Sequence, residues 1–258
     1  MKIHALRKTL TITALLGAVT LAVPGAAHAE TVTGWVGPAG SNGAGVQFLN
    51  TSTIINSPNL TAQSKIYSVF GQQVAPGDIG VRARLFKSGA LCEAVGYKYS
   101  FTGAASLTIG TTATCGTGSY NSHGFTAVWD GVSAYREALT FPSNPVNWTA
   151  PAARSAAPSA TDETTVESGT NASGQSYGAG DTAANDAELP DLVAAIGTDG
   201  VQGFIEKSAL DTAAASPDEA TALEKQNVGG TDVLGSAPKT VPVYASDGTT
   251  QISEFTIS

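Results

Sequence analysis

Few side chains in this sequence have the types and spacing for covalent or acid–base chemistry. After residue 30 there is one histidine, His123, and the only cysteines of the chain are Cys92 and Cys115. Ser122-His123 puts the residue types of a nucleophile and a general base side by side. Neighbouring side chains in a strand leave on opposite faces, however, so the pair is badly set for mutual activation. His123 therefore reads as a structural or exposed histidine beside a turn. Cys92 and Cys115 lack the Cys-x-x-Cys spacing of redox motifs, and with one histidine they cannot complete a usual zinc site. An even, minimal cysteine count in an exported chain points to a Cys92–Cys115 disulfide.

Glycoside hydrolysis needs two carboxylates in one cleft. Between residues 30 and 150 the acids are Glu30, Asp78, Glu93, Asp130 and Glu137. Asp78 and Asp130 belong to turn signals, and only Glu93 and Glu137 are left to meet across strands. Asp199-Gly200 and Asp247-Gly248 read as turns, and no calcium loop of alternating aspartates occurs. No Gly-x-x-x-x-Gly-Lys-[Ser/Thr] phosphate cradle is present, so neither a cofactor nor a metal is expected. The aromatic residues offer a binding chemistry instead. Trp35 and Trp129 are candidate ligand-stacking residues; with Trp148, Tyr97, Tyr99, Tyr120 and Tyr135 they either line a sugar-stacking face or fill a small β core.

The elements that must hold these residues begin with an export signal. Lys2, Arg7 and Lys8 precede an apolar run from about Leu10 to Val23, and Ala27-His28-Ala29 is an A-x-A cleavage site. Residues 1–29 are therefore read as a secretory signal peptide, which predicts a secreted, extracellular protein with no membrane insertion after processing. Residues 30–148 alternate short Thr-, Val- and Tyr-rich runs with Gly, Pro and Asn clusters, the pattern of an antiparallel β-sandwich-like domain. Within it, Leu91–Tyr99 and Leu107–Thr114 are expected to pair as a hairpin that brings Cys92 to Cys115. Val81, Ala83 and Leu85 would face the core, and Arg82 and Arg84 the solvent. Residues 149–187, rich in Ala, Ser and Gly, read as a flexible linker. Residues 188–258 read as a small acidic α+β module. It comprises a hairpin around Gly197–Gly200, a helix from the Ser216-Pro217-Asp218-Glu219 capping signal to about Gln226, and a second hairpin around Ser246-Asp247-Gly248.

Charge divides along the same lines. Residues 30–150 hold six Lys/Arg against five Asp/Glu, a net of +1, whereas residues 181–258 hold three against thirteen, a net of −10. Such a balance argues against nucleic-acid partners and leaves room for a cationic one.

The C-terminal part resembles a segment found in secreted and surface proteins of Gram-positive bacteria, with the pattern G-Y-V-[RK]-K-S-D-L … P-E-E-A … I-P-V-Y-x-S-D-G-x-T-x-I-G-x-F. The matching stretches are Gly203-Phe204-Ile205-Glu206-Lys207-Ser208-Ala209-Leu210-Asp211, Ser216-Pro217-Asp218-Glu219-Ala220, Val241-Pro242-Val243-Tyr244-Ala245-Ser246-Asp247-Gly248 and Ile252-Ser253-Glu254-Phe255. Phe204, Ala209 and Ser253 depart from it. The resemblance implies an extracellular setting and brings no catalytic residue with it. Together these features predict a secreted, non-catalytic binding or structural protein, associated with the cell wall or envelope, whose partner is a wall polymer or an extracellular protein. A secreted hydrolase with a carboxylate- or His123-based site, and a secreted inhibitor or bacteriocin-like factor, are the alternatives.

Overall fold

The structure, a computed structural model, describes residues 31–56, 59–112, 114–150 and 165–258. The expected signal peptide 1–29 lies outside them, as does the middle of the expected linker, 151–164. The described chain is mainly β, with a Cys92–Cys115 disulfide and almost no helix. Its first strands are Thr31–Thr33 (β1), Gly37–Ser41 (β2), Gln47–Ile55 (β3), Thr61–Ser68 (β4), Ile79–Lys87 (β5), Ala90–Ala94 (β6), Lys98–Ser100 (β7) and Ser106–Gly110 (β8). Gly118–Trp129 (β9) and Tyr135–Thr140 (β10) form a hairpin, and Val146–Trp148 (β11) returns along β9. After residue 164 come Gly169–Thr170 (β12), Ser176–Gly178 (β13), Leu192–Ile196 (β14), Gln202–Glu206 (β15) and the helix Pro217–Ala222 (α1). Glu224–Val228 (β16), Thr231–Gly235 (β17), Lys239–Tyr244 (β18) and Gln251–Ile257 (β19) complete the order.

β1 and β2 lie end to end along one edge of β3, and β4 and β8 complete an antiparallel sheet of five strands. In β3, Phe48, Asn50, Ser52 and Ile54 are buried and the residues between them are not, the period of two expected where one face is covered. Phe48, Ile66, Leu107 and Ile109 from this sheet share a core cluster with Val81, Ala83 and Val128 of β5 and β9. Each buried Val, Leu, Ile or Phe among them contributes about 1.5–3 kcal/mol.

β5 is the hub of the second sheet, pairing with β6, β7 and β9. Eight of its nine residues are buried. Arg82 and Arg84 therefore do not face solvent as expected, because a second layer from the C-terminal part covers that side. This layer closes on itself. β14, β15, β18 and β19 pair antiparallel in that order. Both ends of the ribbon then reach β6 in parallel, β14 at Ala195–Leu91 and β19 at Ile257–Ala94. The five strands make a small mixed barrel around Leu91, Val193, Ile205, Val243 and Phe255, and its fifth strand belongs to the N-terminal half of the sequence.

Three further expectations are corrected. Leu91–Tyr99 and Leu107–Thr114 do not form a hairpin: β6 and β7 pair with β5, whereas β8 pairs with β4 in the other sheet. The disulfide thus joins β6 to Cys115 in the segment that leads from β8 to β9. The described part of the expected linker, residues 165–187, carries β12 and β13, and β13 runs parallel to β14. The helix begins as the capping signals predict, with Ser216 Oγ accepting from the Glu219 N–H at 3.2 Å and Glu219 Oε2 accepting from the Ala215 N–H at 2.9 Å. It ends at Ala222 instead of Gln226, because residues 224–235 become the hairpin β16–β17 and β17 pairs with β7. Gly229 and Gly230, both at positive φ, form its two-residue turn, the conformation such tight turns require.

Candidate functional site

His123, the histidine weighed for the alternative hydrolase reading, lies inside the molecule. Register places Arg84 opposite His123 and Arg82 opposite Phe125 on β5 and β9. Both guanidiniums reach one carboxylate: Arg82 Nη1 is 2.8 Å from Asp186 Oδ2, and Arg84 Nη2 is 3.1 Å from Asp186 Oδ1. The Arg82 guanidinium also lies over the rings of Phe125, at 4.4 Å, and Tyr97, at 4.7 Å. Tyr97 donates its hydroxyl to Glu137 Oε1 at 2.6 Å. Burial opposes the charge of Asp186, but the two guanidiniums outweigh it and hold its pKa below the usual value. Burial and the neighbouring Arg82 lower Arg84 to about 10, which leaves it a cation at neutral pH.

His123 stacks on Phe86 with ring centroids 4.6 Å apart, and its Nε2 donates to the Gly180 carbonyl at 3.3 Å. At 1% exposure it meets no solvent. Burial, with the positive charge of Arg84, lowers its pKa to about 3, so it is neutral at physiological pH. Ser122 leaves on the other face, bonded to the hydroxyls of Ser52 at 3.0 Å and Ser143 at 3.2 Å. Glu93 and Glu137 belong to separate networks, Glu93 accepting from the Thr112 N–H at 2.8 Å. This cluster fastens residues 180–188 to the β5–β9 pair, with the two arginines buried and Asp186 one-third exposed.

One motif escaped the sequence reading. Gly174-Gln175-Ser176-Tyr177-Gly178 has the Gly-x-Ser-x-Gly spelling of a nucleophile elbow. Here Ser176 opens the short strand β13 with no helix after it. Its hydroxyl donates to Asp191 Oδ2 at 2.9 Å and accepts from the Asp191 N–H at 3.0 Å, which ties β13 to the start of β14; His123 is bonded elsewhere, to Gly180.

The surface presents two different features. The first is apolar. A Cβ on Gly34 would fall 2.3 Å from the Phe141 carbonyl oxygen, and one on Gly37 2.1 Å from the Phe141 ring. Only glycine permits this approach, and the segment between is held against Phe141 with Trp35 79% exposed and Val36 57% exposed. Trp129 is elsewhere, half-buried with its ring edge on Tyr135 at 5.4 Å. Tyr135 opposes Trp129 and Phe141 follows the far end of β10, a separation of about 20 Å at ~3.3 Å per residue. Trp35 and Trp129 therefore do not form one continuous face. Tyr97, Tyr99 and Tyr120 are buried in the core.

The second feature is a cleft of about 710 Å³ at the mouth of the barrel, of mixed polar and apolar lining that includes Lys87, Cys92, Glu93, Thr112, Cys115, Ile196, Thr198 and Thr256. Leu85 pairs with Glu93 and Phe86 with Leu91, so Cys92 is the extra residue of a β-bulge, a device that re-aims a side chain. It turns Cys92 toward Cys115, with the Cα atoms 5.8 Å apart.

Among the described residues, no three His, Cys, Asp or Glu side chains are grouped closely enough to hold a metal ion, and no helix is long and apolar enough to cross a membrane. No family model, characterised protein or solved structure matches this chain.

Proposed function

We propose that this chain is an exported, non-catalytic binding protein of the cell wall or envelope. Its contact face is the rim formed by Trp35, Val36 and Phe141. The observation that carries this reading is the seating of Trp35: two close-approach glycines hold the indole out into solvent beside a second aromatic. Exposed apolar groups gathered in this way mark interaction sites. A rigid indole offers stacking area to a sugar ring or an apolar side chain at low entropic cost. The leader sequence of residues 1–29 and the resemblance of the C-terminal segment to surface proteins support the extracellular setting. We read the N-terminal part as a sandwich-like platform for the rim, with the C-terminal strands bracing it. A hydrolase is disfavoured because His123 is sealed and neutral and Glu93 and Glu137 sit in separate networks.

The test is sedimentation of mature protein, residues 30–258, with purified Gram-positive cell walls and insoluble polysaccharides at low and high salt. Saturable, salt-resistant binding that Trp35→Ala weakens at least tenfold, with unchanged melting, is expected. Absence of binding by the wild type, or equal binding by Trp35→Ala, overturns the reading.

A further inference from the structure

We infer that the partner is an uncharged glycan chain, and that it lies on the outward face of the five-stranded sheet with Trp35 at its edge. The inference rests on the wall-binding reading above and extends its contact from a rim to a surface. Side chains alternate along the two central strands. In β3 and β4 one set is buried, from Phe48 to Ile54 and from Ala62 to Ser68, and the set between is half-buried or exposed. Register lays this second set out in rows. Thr53 stands beside Gln63, Thr51 beside Lys65 and Leu49 beside Tyr67. The rows continue into β8, where Thr108 opposes Lys65 and Gly110 opposes Gln63. A Cβ on Gly110 would fall 3.2 Å from Gln63 Cγ, so the glycine gives the Gln63 side chain room to lie across β8. On the other side Thr33 opposes Thr53, and Trp35 follows two residues later. Trp35 and Tyr67 are thus two strand spacings apart, about 10 Å across the sheet at ~4.8 Å per strand.

The chemistry of the face selects the occupant. Lys65 is the only charged residue in the strands of this sheet, and its ammonium lies over the Tyr67 ring at 5.3 Å. Among the described residues, none bonds the Gln63 amide or the hydroxyls of Tyr67 and Thr108, which are left for solvent or a ligand. Amides and hydroxyls both donate and accept, the complement of a polyol. Trp35 and Tyr67 add ring faces with a polar tip, which stack on a sugar while the tip stays hydrogen-bonded. A polyanionic wall polymer would meet a single cation here, in a molecule whose C-terminal part carries a net of −10, and that charge would repel it. An apolar protein partner would need a continuous apolar patch, whereas Thr51 and Thr53 separate Leu49 from Ile55.

The test takes protein of residues 30–258 through two measurements. The first is a ¹⁵N NMR titration with an N-acetylglucosamine pentamer. Saturable amide shifts over Thr51, Thr53, Gln63, Tyr67 and Thr108 are expected, and their absence overturns the inference even where wall binding holds. The second is sedimentation with Gram-positive walls before and after hydrofluoric acid removes their phosphate polymers. Binding to the stripped walls should persist. Gln63→Ala and Tyr67→Ala, both at half-buried surface positions, should each weaken it at least tenfold with unchanged melting. Lys65→Gln should stay within twofold of wild type. Loss of binding on stripping, or a tenfold loss in Lys65→Gln, would identify a polyanion as the ligand and overturn the inference. Binding weakened by Trp35→Ala but by neither Gln63→Ala nor Tyr67→Ala would leave the rim reading standing and this one refuted. Pentamer shifts at this face in a protein that leaves walls unbound would support the glycan site and overturn the wall setting alone.

Discussion

Acid should destabilise this protein through His123, and the size of the effect can be worked out. The imidazole has a pKa of about 3 in the folded protein against 6.5 for an ordinary histidine, because it is buried and faces Arg84. Below pH 6.5 the unfolded chain takes up a proton that the folded chain refuses, so stability is full above that pH and falls as pH drops toward 3. At ~1.36 kcal/mol per pH unit, acidification from 7.5 to 4.5 removes about 2.7 kcal/mol through this one group. Asp78 and Asp181, whose pKa values burial raises, act in the opposite sense, but their contributions cancel in a comparison with a variant. His123→Phe is the suitable one, since Phe86 and Phe125 already offer ring contacts at 4.6 and 6.0 Å. It should cost about 1 kcal/mol at pH 7.5 for the lost Gly180 hydrogen bond. Urea unfolding of both proteins at half-unit steps between pH 7.5 and 4.5 measures the difference. Wild type should lose about 2.7 kcal/mol more than the variant across that range. Parallel pH curves for the two proteins would refute the burial argument and reopen the question of solvent access to His123.

Two predictions concern other fastenings. The Cys92–Cys115 disulfide spans 23 residues of sequence, and reducing it should lower stability by about 3 kcal/mol. Urea titrations with and without dithiothreitol would show this, and an unchanged midpoint would sink it. Asp186→Asn leaves Arg82 and Arg84, each 2% exposed, without their shared carboxylate. The usual ~3–5 kcal/mol for breaking a buried pair is discounted here to about 2–3, because Asp186 is itself one-third exposed. A loss under about 0.5 kcal/mol in the same titration would show that this carboxylate is not what holds residues 180–188 down.

How far the sequence was legible varied with the range of the interactions. Local signals read well. Asp130-Gly131 does reverse β9 into β10, with Asp130 Oδ1 accepting from the N–H groups of Val132, Ser133 and Ala134. The turns at Gly197–Gly200 and Ser246–Gly248 and the N-cap at Ser216 were likewise visible. Pairing at a distance was not. Nothing local in Glu224–Val228 announces a strand, which exists because β17 finds the free edge of β7. The arginine alternation in β5 looked like a wet face because the acid that neutralises it, Asp186, lies 102 residues beyond Arg84. Cys92 and Cys115 were paired correctly but for the wrong reason: a bulge and a sheet-to-sheet crossing bring them together, not a hairpin. Trp35 was a named candidate, yet its prominence depends on Gly34 and Gly37 meeting Phe141, which no spacing rule shows.

The shared strand β6 also sets the order of assembly. Its barrel partners lie far along the chain, Ala195 being 104 residues after Leu91 and Ile257 being 163 after Ala94. Contacts of such high sequence separation form slowly, since a long loop must close before they return any free energy. If the chain is exported N to C as proposed, β5, β6 and β9 and both cysteines emerge well before β19 does. The disulfide can therefore close while one side of β6 still waits for its partners. An early crosslink on a waiting edge keeps that strand at its station and shields it from pairing with another chain, the hazard that an open strand edge presents during folding.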